Sequence, residues 1–288
     1  MAHSEGSYYI PHGTNWPILG SIGLTTLVVG FSSYLNGSGI GPALMVLGVA
    51  ITLFMMFGWF GTVIRESESG TYNEQVDMSF RLGMGWFIFS EVMFFAAFFG
   101  ALFYVRELSI PWLLGEGDGV STNELLWNDY DETWPSNGPG NVGGEFETIP
   151  AWGIPALNTL ILLTSGVTVT FAHWALKKGQ RNALVLWLLA TVALGFLFIG
   201  FQVAEYTHAY QDLNLTLGSG VYGSTFFMLT GFHGFHVTMG AIMLTIIMFR
   251  AMKGHFTPNH HFAFEGVAWY WHFVDVVWLG LFIFVYWI

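Results

Sequence analysis

No cysteine occurs among the 288 residues. That excludes disulfides, thiolate metal sites and a cysteine nucleophile. Charge is scarce too: Asp, Glu, Lys and Arg make up 9% of the chain, against roughly a quarter in a soluble domain. Cations are the scarcest, eight Lys and Arg against nineteen Asp and Glu, so a basic nucleic-acid surface is not available. Such a composition suits a lipid solvent, where an ionised group is expensive. There is no nucleotide-binding glycine loop, no nucleophile constellation and no internal repeat. Met1 to Pro11 lacks the charged start and apolar core of a secretory signal, so the first apolar run is expected to be retained.

What is present is apolar: 53% hydrophobic residues, with 28 Phe, 13 Trp and 36 Gly. Runs of about twenty apolar residues are candidate membrane spans. Seven are predicted, at about Trp16–Leu35, Gly41–Ile64, Phe80–Tyr104, Ile154–Leu176, Ala183–His208, Gly220–Phe249 and Phe262–Ile288. The expected fold is therefore an all-α integral membrane protein, one membrane domain over residues 1–288. The cations are Arg65, Arg81, Arg106, Lys177, Lys178, Arg181, Arg250 and Lys253. With seven spans, all but Arg106 fall on one side, which the positive-inside rule makes cytoplasmic. The N-terminus is then inside and the C-terminus outside.

Residues 107–153 form a long outer segment with nine Asp and Glu and no Lys or Arg. Asn137-Gly138-Pro139-Gly140 and Gly143-Gly144 are turn signals. A solvated flexible loop is the favoured reading, and an acidic surface for a basic soluble partner is the sharper one. Gly83, Gly85, Gly231, Gly234 and Gly240 suit close helix contacts, although Gly is common in any membrane helix.

Ionisable groups inside spans carry the most information. Glu91 stands among apolar neighbours in the third span, His173 in the fourth and Glu205 in the fifth. His233 and His236 are one turn apart in the sixth; His272 and Asp275 are similarly spaced in the seventh, with Glu265 near its inner end. His233, His236, Glu91 and Glu205 invite a carboxylate–histidine metal site of the di-iron bundle type. Glu91 lies near mid-membrane and Glu205 near the outer face, and the repeated Glu-x-x-His unit is missing. Buried side chains that hydrogen-bond one another and lock the helices are the expectation, with no metal and no catalytic residue. The carboxylates are too scattered for a continuous proton wire. The cytoplasmic side holds titratable His3, His12, His255, His260 and His261 with Glu66, Glu68, Glu74 and Asp77, a proton-collecting face or merely a polar one.

Longer stretches carry a resemblance. His260-His261-Phe262-Ala263-Phe264-Glu265-Gly266-Val267-Ala268-Trp269-Tyr270-Trp271-His272-Phe273-Val274-Asp275-Val276-Val277-Trp278 closely resembles the seventh span of cytochrome c oxidase subunit three, of the bacterial aa3-type haem–copper oxidases. Val221-Tyr222-Gly223-Ser224-Thr225-Phe226-Phe227 and Gly231-Phe232-His233-Gly234-Phe235-His236-Val237 resemble its sixth span. Arg81-Leu82-Gly83-Met84 and Ser90-Glu91-Val92-Met93-Phe94-Phe95 resemble the third. Pro155-Ala156-Leu157-Asn158-Thr159, Ser165-Gly166 and Ala172-His173 resemble the fourth, and Gln202 with Glu205-Tyr206 the fifth. Two departures stand out: Trp59-Phe60 replaces a Trp pair, and Thr71-Tyr72-Asn73-Glu74 replaces a His pair, so one headgroup contact does not carry over. Nothing carries over onto the acidic outer segment.

The resemblance implies two bundles, about 16–64 and about 80–288, separated by a lipid cleft. It implies an accessory chain that carries no haem or copper, sits against catalytic subunit one with subunit two in the same complex, holds phospholipid and supports proton uptake during oxygen reduction. Trp59, Arg65, Glu66 and Arg81 become the expected lipid contacts, Glu91 the carbodiimide-reactive carboxyl, His3, His12 and His255 proton collectors. Soluble cytochrome c near the acidic outer segment is a further expected partner, and the bacterial inner membrane the expected location. The corresponding subunit of a quinol oxidase, and a stand-alone transporter or metalloenzyme, remain alternatives.

Overall fold

A computed structural model describes residues 13–287 of the chain. His3 and His12 lie outside the described residues. Among those described the fold is all helix, and seven helices are long and apolar enough to cross a membrane. The chain divides into two compact units, one up to Phe80 and one from Arg81 onward.

In the first unit, α1 (Trp16–Leu35) and α2 (Gly41–Glu68) form a hairpin. Gly37 makes the turn with φ +74°, a conformation open to glycine at no steric cost. Small residues set the helix contact: a Cβ on Gly48 would lie 2.5 Å from the Leu27 backbone nitrogen. Bare backbone against backbone is how membrane helices gain packing where lipid provides no hydrophobic drive. The outward faces stay apolar, with Val28, Val46 and Phe57 exposed. That is a surface fit for lipid or for another apolar chain.

The second unit is built on α6 (Ile154–Lys177), α7 (Arg181–Gln211), α8 (Gly220–Lys253) and α9 (Phe262–Leu281), with α3 (Glu74–Tyr104) supplying residues from Arg81 on. Trp271 and Trp278 are fully buried at its centre. Each indole N–H donates to a hydroxyl of α6, Trp271 to Ser165 at 2.9 Å and Trp278 to Thr159 at 2.9 Å. Those hydroxyls in turn donate to Leu162 and Pro155 carbonyls, so a buried ring keeps its one donor satisfied. Room for Trp271 comes from Gly240 and Gly195, where a Cβ would stand 2.8 Å from the indole. Of the glycines expected at contacts, Gly240 fulfils the expectation. Gly83, Gly85 and Gly234 have nothing within 4 Å, and a Gly231 Cβ would only touch the Tyr206 hydroxyl at 3.6 Å.

Two expectations are corrected. α3 begins at Glu74 rather than near Phe80: the Asn73 side chain accepts the Val76 N–H at 2.9 Å, and Glu74 and Asp77 complement the positive end of the helix dipole. Helix then continues through a π turn, Val105–Ser109, into α4 (Ile110–Leu113). A forty-residue helix is about 60 Å long, roughly twice a hydrocarbon core. The outer segment is not a floppy loop either. After α5 (Val120–Leu126), Ser136 and Asn137 are buried. The Asn137 amide donates to Asn141 and to the Gly144 carbonyl, each at 2.8 Å. Asn214 donates to the Gly143 and Glu145 carbonyls, and the Glu147 N–H to Leu213. The Phe146 ring stacks on Tyr222 at 5.3 Å.

Candidate functional site

The densest polar junction of the second unit joins the end of α6 to the start of α9. Glu265 sits in the first turn of α9 and His261 at its N-cap. His173 comes from the last turns of α6. One Glu265 oxygen takes the Arg81 guanidinium, whose flat face also covers the Phe262 ring at 5.3 Å. The other lies 3.3 Å from His173 Nε2 and 3.3 Å from His261 Nε2, and the two nitrogens are 3.4 Å apart. A short turn, in which Thr257 and His260 exchange backbone bonds, brings the Thr257 carbonyl to His261 Nδ1 at 3.0 Å.

Deeper in, Glu91 of α3 meets His236 of α8 at 2.8 Å through Nε2, while His236 Nδ1–H donates to the Phe232 carbonyl at 2.6 Å. His233, fully buried, donates from Nε2 to the Val274 carbonyl at 3.0 Å and is flanked by the Phe198 and Trp278 rings. The two histidines therefore answer to different partners. Glu205, 1% exposed, accepts at one oxygen from Tyr286 at 2.6 Å and Gln202 at 3.0 Å. Nothing in the structure gathers Glu91, Glu205, His233 and His236 about one point: Glu91 pairs with His236, and Glu205 with Tyr286 and Gln202.

Not all the groups expected to be buried are. His272 is exposed, reaching Thr170 at 3.4 Å. The reason is helical phase: Trp269, His272 and Val276 form the outward stripe of α9, while Trp271, Val274, Asp275 and Trp278 face the core. Glu91 and His173 are half-buried, with side chains 21% and 23% exposed, and Glu265 keeps 12%. Asp275 is buried, its carboxylate lying over Gly166 beside the His272 ring.

In the first unit Trp59 is exposed and stacks on Phe60. Arg65, exposed in the last turn of α2, donates to the Thr62 hydroxyl at 3.1 Å. Glu66 accepts the Tyr72 hydroxyl at 2.8 Å. His255 follows the left-handed Gly254 that ends α8. Sequence reasoning did not single out Tyr286, nor His261 as a partner of His173. The His261–Glu265 spacing of four was a readable signal for half of that junction.

The family model for cytochrome c oxidase subunit III matches residues 6–117 and 128–288. The chain belongs to that family. Relatives in it cover nearly the whole length. The cytochrome c oxidase subunit 3 of Marchantia polymorpha is 43% identical over 97% of this chain and 96% of its own. That of Arabidopsis thaliana is 43% identical over 98% and 96%, and that of Cephalophorus natalensis 38% over 100% and 99%. As a subunit III family member, the chain is a multi-pass membrane subunit of a terminal oxidase that assembles with other subunits. The interruption of the family match between residues 117 and 128 falls on the outer segment that holds α5.

Proposed function

We propose that this chain is a non-redox accessory subunit of cytochrome c oxidase that binds phospholipid, supports proton uptake and stabilises catalytic subunit one, with subunit two in the same complex. The observation that carries the reading is how the interior histidines are used. His233 donates to a backbone carbonyl, and His236 is held between a carbonyl and Glu91. Both rings hold helices together and present no pair of free nitrogens to a common space. They do not fit haem or copper, which the reading assigns to the partner subunits. Phospholipid headgroups are assigned to Trp59 and Arg65, an interfacial aromatic followed by a guanidinium free to pair with phosphate.

The proposed placement is the inner membrane of a bacterium, N-terminus cytoplasmic, with His255 and the N-terminal His3 and His12 on the proton-uptake side. The acidic outer segment then faces the side from which soluble cytochrome c docks. The test is an oxidase depleted of this chain, assayed across pH and again after the chain is restored. It should begin to turn over, slow more steeply as pH rises and inactivate within a limited number of turnovers. No activity at the first turnover, with the redox centres in place, would put this chain in the chemistry itself. Unchanged kinetics and endurance at every pH would reduce its role to assembly.

A further inference from the structure

We infer that Asn158, Gln202 and Glu205 hold internal water between them, at the end of the second unit where α6 starts and α7 finishes. Asn158 is fully buried, yet neither its amide nitrogen nor its oxygen meets a hydrogen-bond partner among the described residues. Gln202 and Glu205 are 6% and 1% exposed. The Gln202 amide donates to Glu205 Oε1 at 3.0 Å, and Tyr286 donates to the same oxygen at 2.6 Å. Gln202 Oε1 and Glu205 Oε2 are left without a partner among the described residues.

Helix register brings the three side chains together. α6 and α7 run antiparallel, and the buried hydroxyls of Thr168 and Thr191 lie 2.8 Å apart, which fixes one level against the other. Asn158 stands about three turns before Thr168, and Gln202 about three turns after Thr191, so the two arrive at the same level. Gln202 nearly repeats the phase of Thr191 and faces α6. Asn158 repeats the inward phase of Ser165, two turns on, which receives the Trp271 indole. The Trp278 ring closes the space from α9: its N–H reaches Thr159, next to Asn158. Its ring lies 4.7 Å from Phe198, one turn from Gln202, and 5.8 Å from Tyr286.

The orphan atoms select the ligand. Three are acceptors and one, the Asn158 amide nitrogen, is a donor. A cation serves acceptors alone, and an apolar molecule serves neither. Water donates twice and accepts twice, and ordered internal waters typically bond about three otherwise unsatisfied groups. Held there, water ties the start of α6 to the end of α7 and, through Glu205, to Tyr286 beyond α9.

The test uses the full chain, purified in mild detergent with the subunits that accompany it. A high-resolution electron cryo-microscopy map should show a water-sized peak within hydrogen-bond distance of the Asn158 amide and of Gln202 or Glu205. With Tl+ in place of Na+ and K+, the peak should keep its height. Thermal unfolding is the second arm. Asn158→Leu keeps the volume and cannot bond water, so a hydrated site predicts unfolding at a temperature lower by roughly 2–4 °C. A dry site predicts the opposite sign, because removing orphan polar atoms from a dry interior relieves a desolvation cost. Should the variant fail to assemble, the two maps of the parent decide. Asn158 bonded directly to Gln202 or Glu205 with no peak between them, a peak that strengthens in Tl+, or a variant as stable as the parent or more so would overturn the site.

Discussion

Glu91 of α3 is tied to His236 of α8 through the imidazole Nε2. Nδ1 of the imidazole donates to the Phe232 carbonyl at 2.6 Å, and Nε2 stands 2.8 Å from a Glu91 oxygen. A carboxylate facing a bare nitrogen would set two lone pairs against each other. One proton on either atom removes the conflict, giving an ion pair or a neutral carboxylic acid bonded to a neutral ring. Phe94, Phe95 and Tyr270 surround the imidazole. Infrared difference spectra of the parent and Glu91→Gln tell the two arrangements apart: a protonated carboxyl band lost in the variant marks the neutral one. His236→Ala should cost about 1 kcal/mol, the order expected for losing the hydrogen bond to a half-buried partner. A parent spectrum without the band would make the pair ionic.

Gly240→Ala is expected to destabilise the second unit. Its Cβ would lie 2.8 Å from the Trp271 ring and 3.4 Å from Tyr270. Trp271 cannot retreat freely, because its N–H is held by Ser165 on one side and Gly195 backs the ring on the other. Overpacking of this kind costs about 1–3 kcal/mol. Gly234→Ala, in the same helix with open space around it, should be close to neutral. Thermal unfolding in detergent compares them; equal losses would mean that Trp271 can shift.

The sequence made the spans legible because lipid imposes their length and composition, so seven apolar runs translate almost directly into seven helices. What it hid was set by partners distant along the chain. Glu74 and Asp77 look like loop residues until the Asn73 cap turns them into a helix start. The Gly-rich outer segment looks mobile because its tethers, Asn137 and Asn214, act through side-chain amides at a distance. His261 and Glu265 are visibly one turn apart, but His173 lies 88 residues from His261, and no local pattern brings it to them. His272 departs from expectation for the opposite reason. Its spacing to Asp275 suggests a shared environment, while the rotation of α9 turns it outward.

The outer segment should loosen in alkaline solution. The Tyr130 hydroxyl donates to Ser136 at 2.9 Å, and Ser136 donates to Glu132 at 2.9 Å. Burial pushes the Tyr130 hydroxyl above its ordinary value, with Glu132 adding to the rise and the Ser136 bond opposing it. A raised value in the folded chain means that the neutral phenol is preferred there. Its contribution is complete below the unfolded value of about 10 and is lost as pH climbs through the folded one. Protease cleavage between residues 127 and 153 should thus increase above pH ~10. Tyr130→Phe should be cut faster at neutral pH, by the loss of about 1 kcal/mol, and should lose this alkaline step. An unchanged alkaline step in the variant would assign it to another group.

Lipid binding should separate two arginines that the family resemblance treats alike. Arg65 ends α2 with an exposed guanidinium whose hydrogen bond goes to the Thr62 hydroxyl, a neutral partner. Arg81 is paired with Glu265 and stacked on Phe262. A phosphate offers Arg65 a charge-assisted bidentate bond that a threonine cannot. For Arg81 the same phosphate would have to displace a carboxylate already in place, so little is gained. Arg65→Ala should therefore lower the anionic phospholipid that co-purifies with the chain, and leave its thermal unfolding nearly unchanged, as expected for an exposed residue. Arg81→Ala should do the reverse. It leaves one oxygen of Glu265, a carboxylate only 12% exposed, without its cation, and should destabilise the second unit by about 1–3 kcal/mol with little change in lipid. Quantitative lipid mass spectrometry and thermal unfolding of the two variants form the check. Lipid loss on replacing Arg81 alone would move the headgroup ligand to α3 and make its pairing with Glu265 secondary.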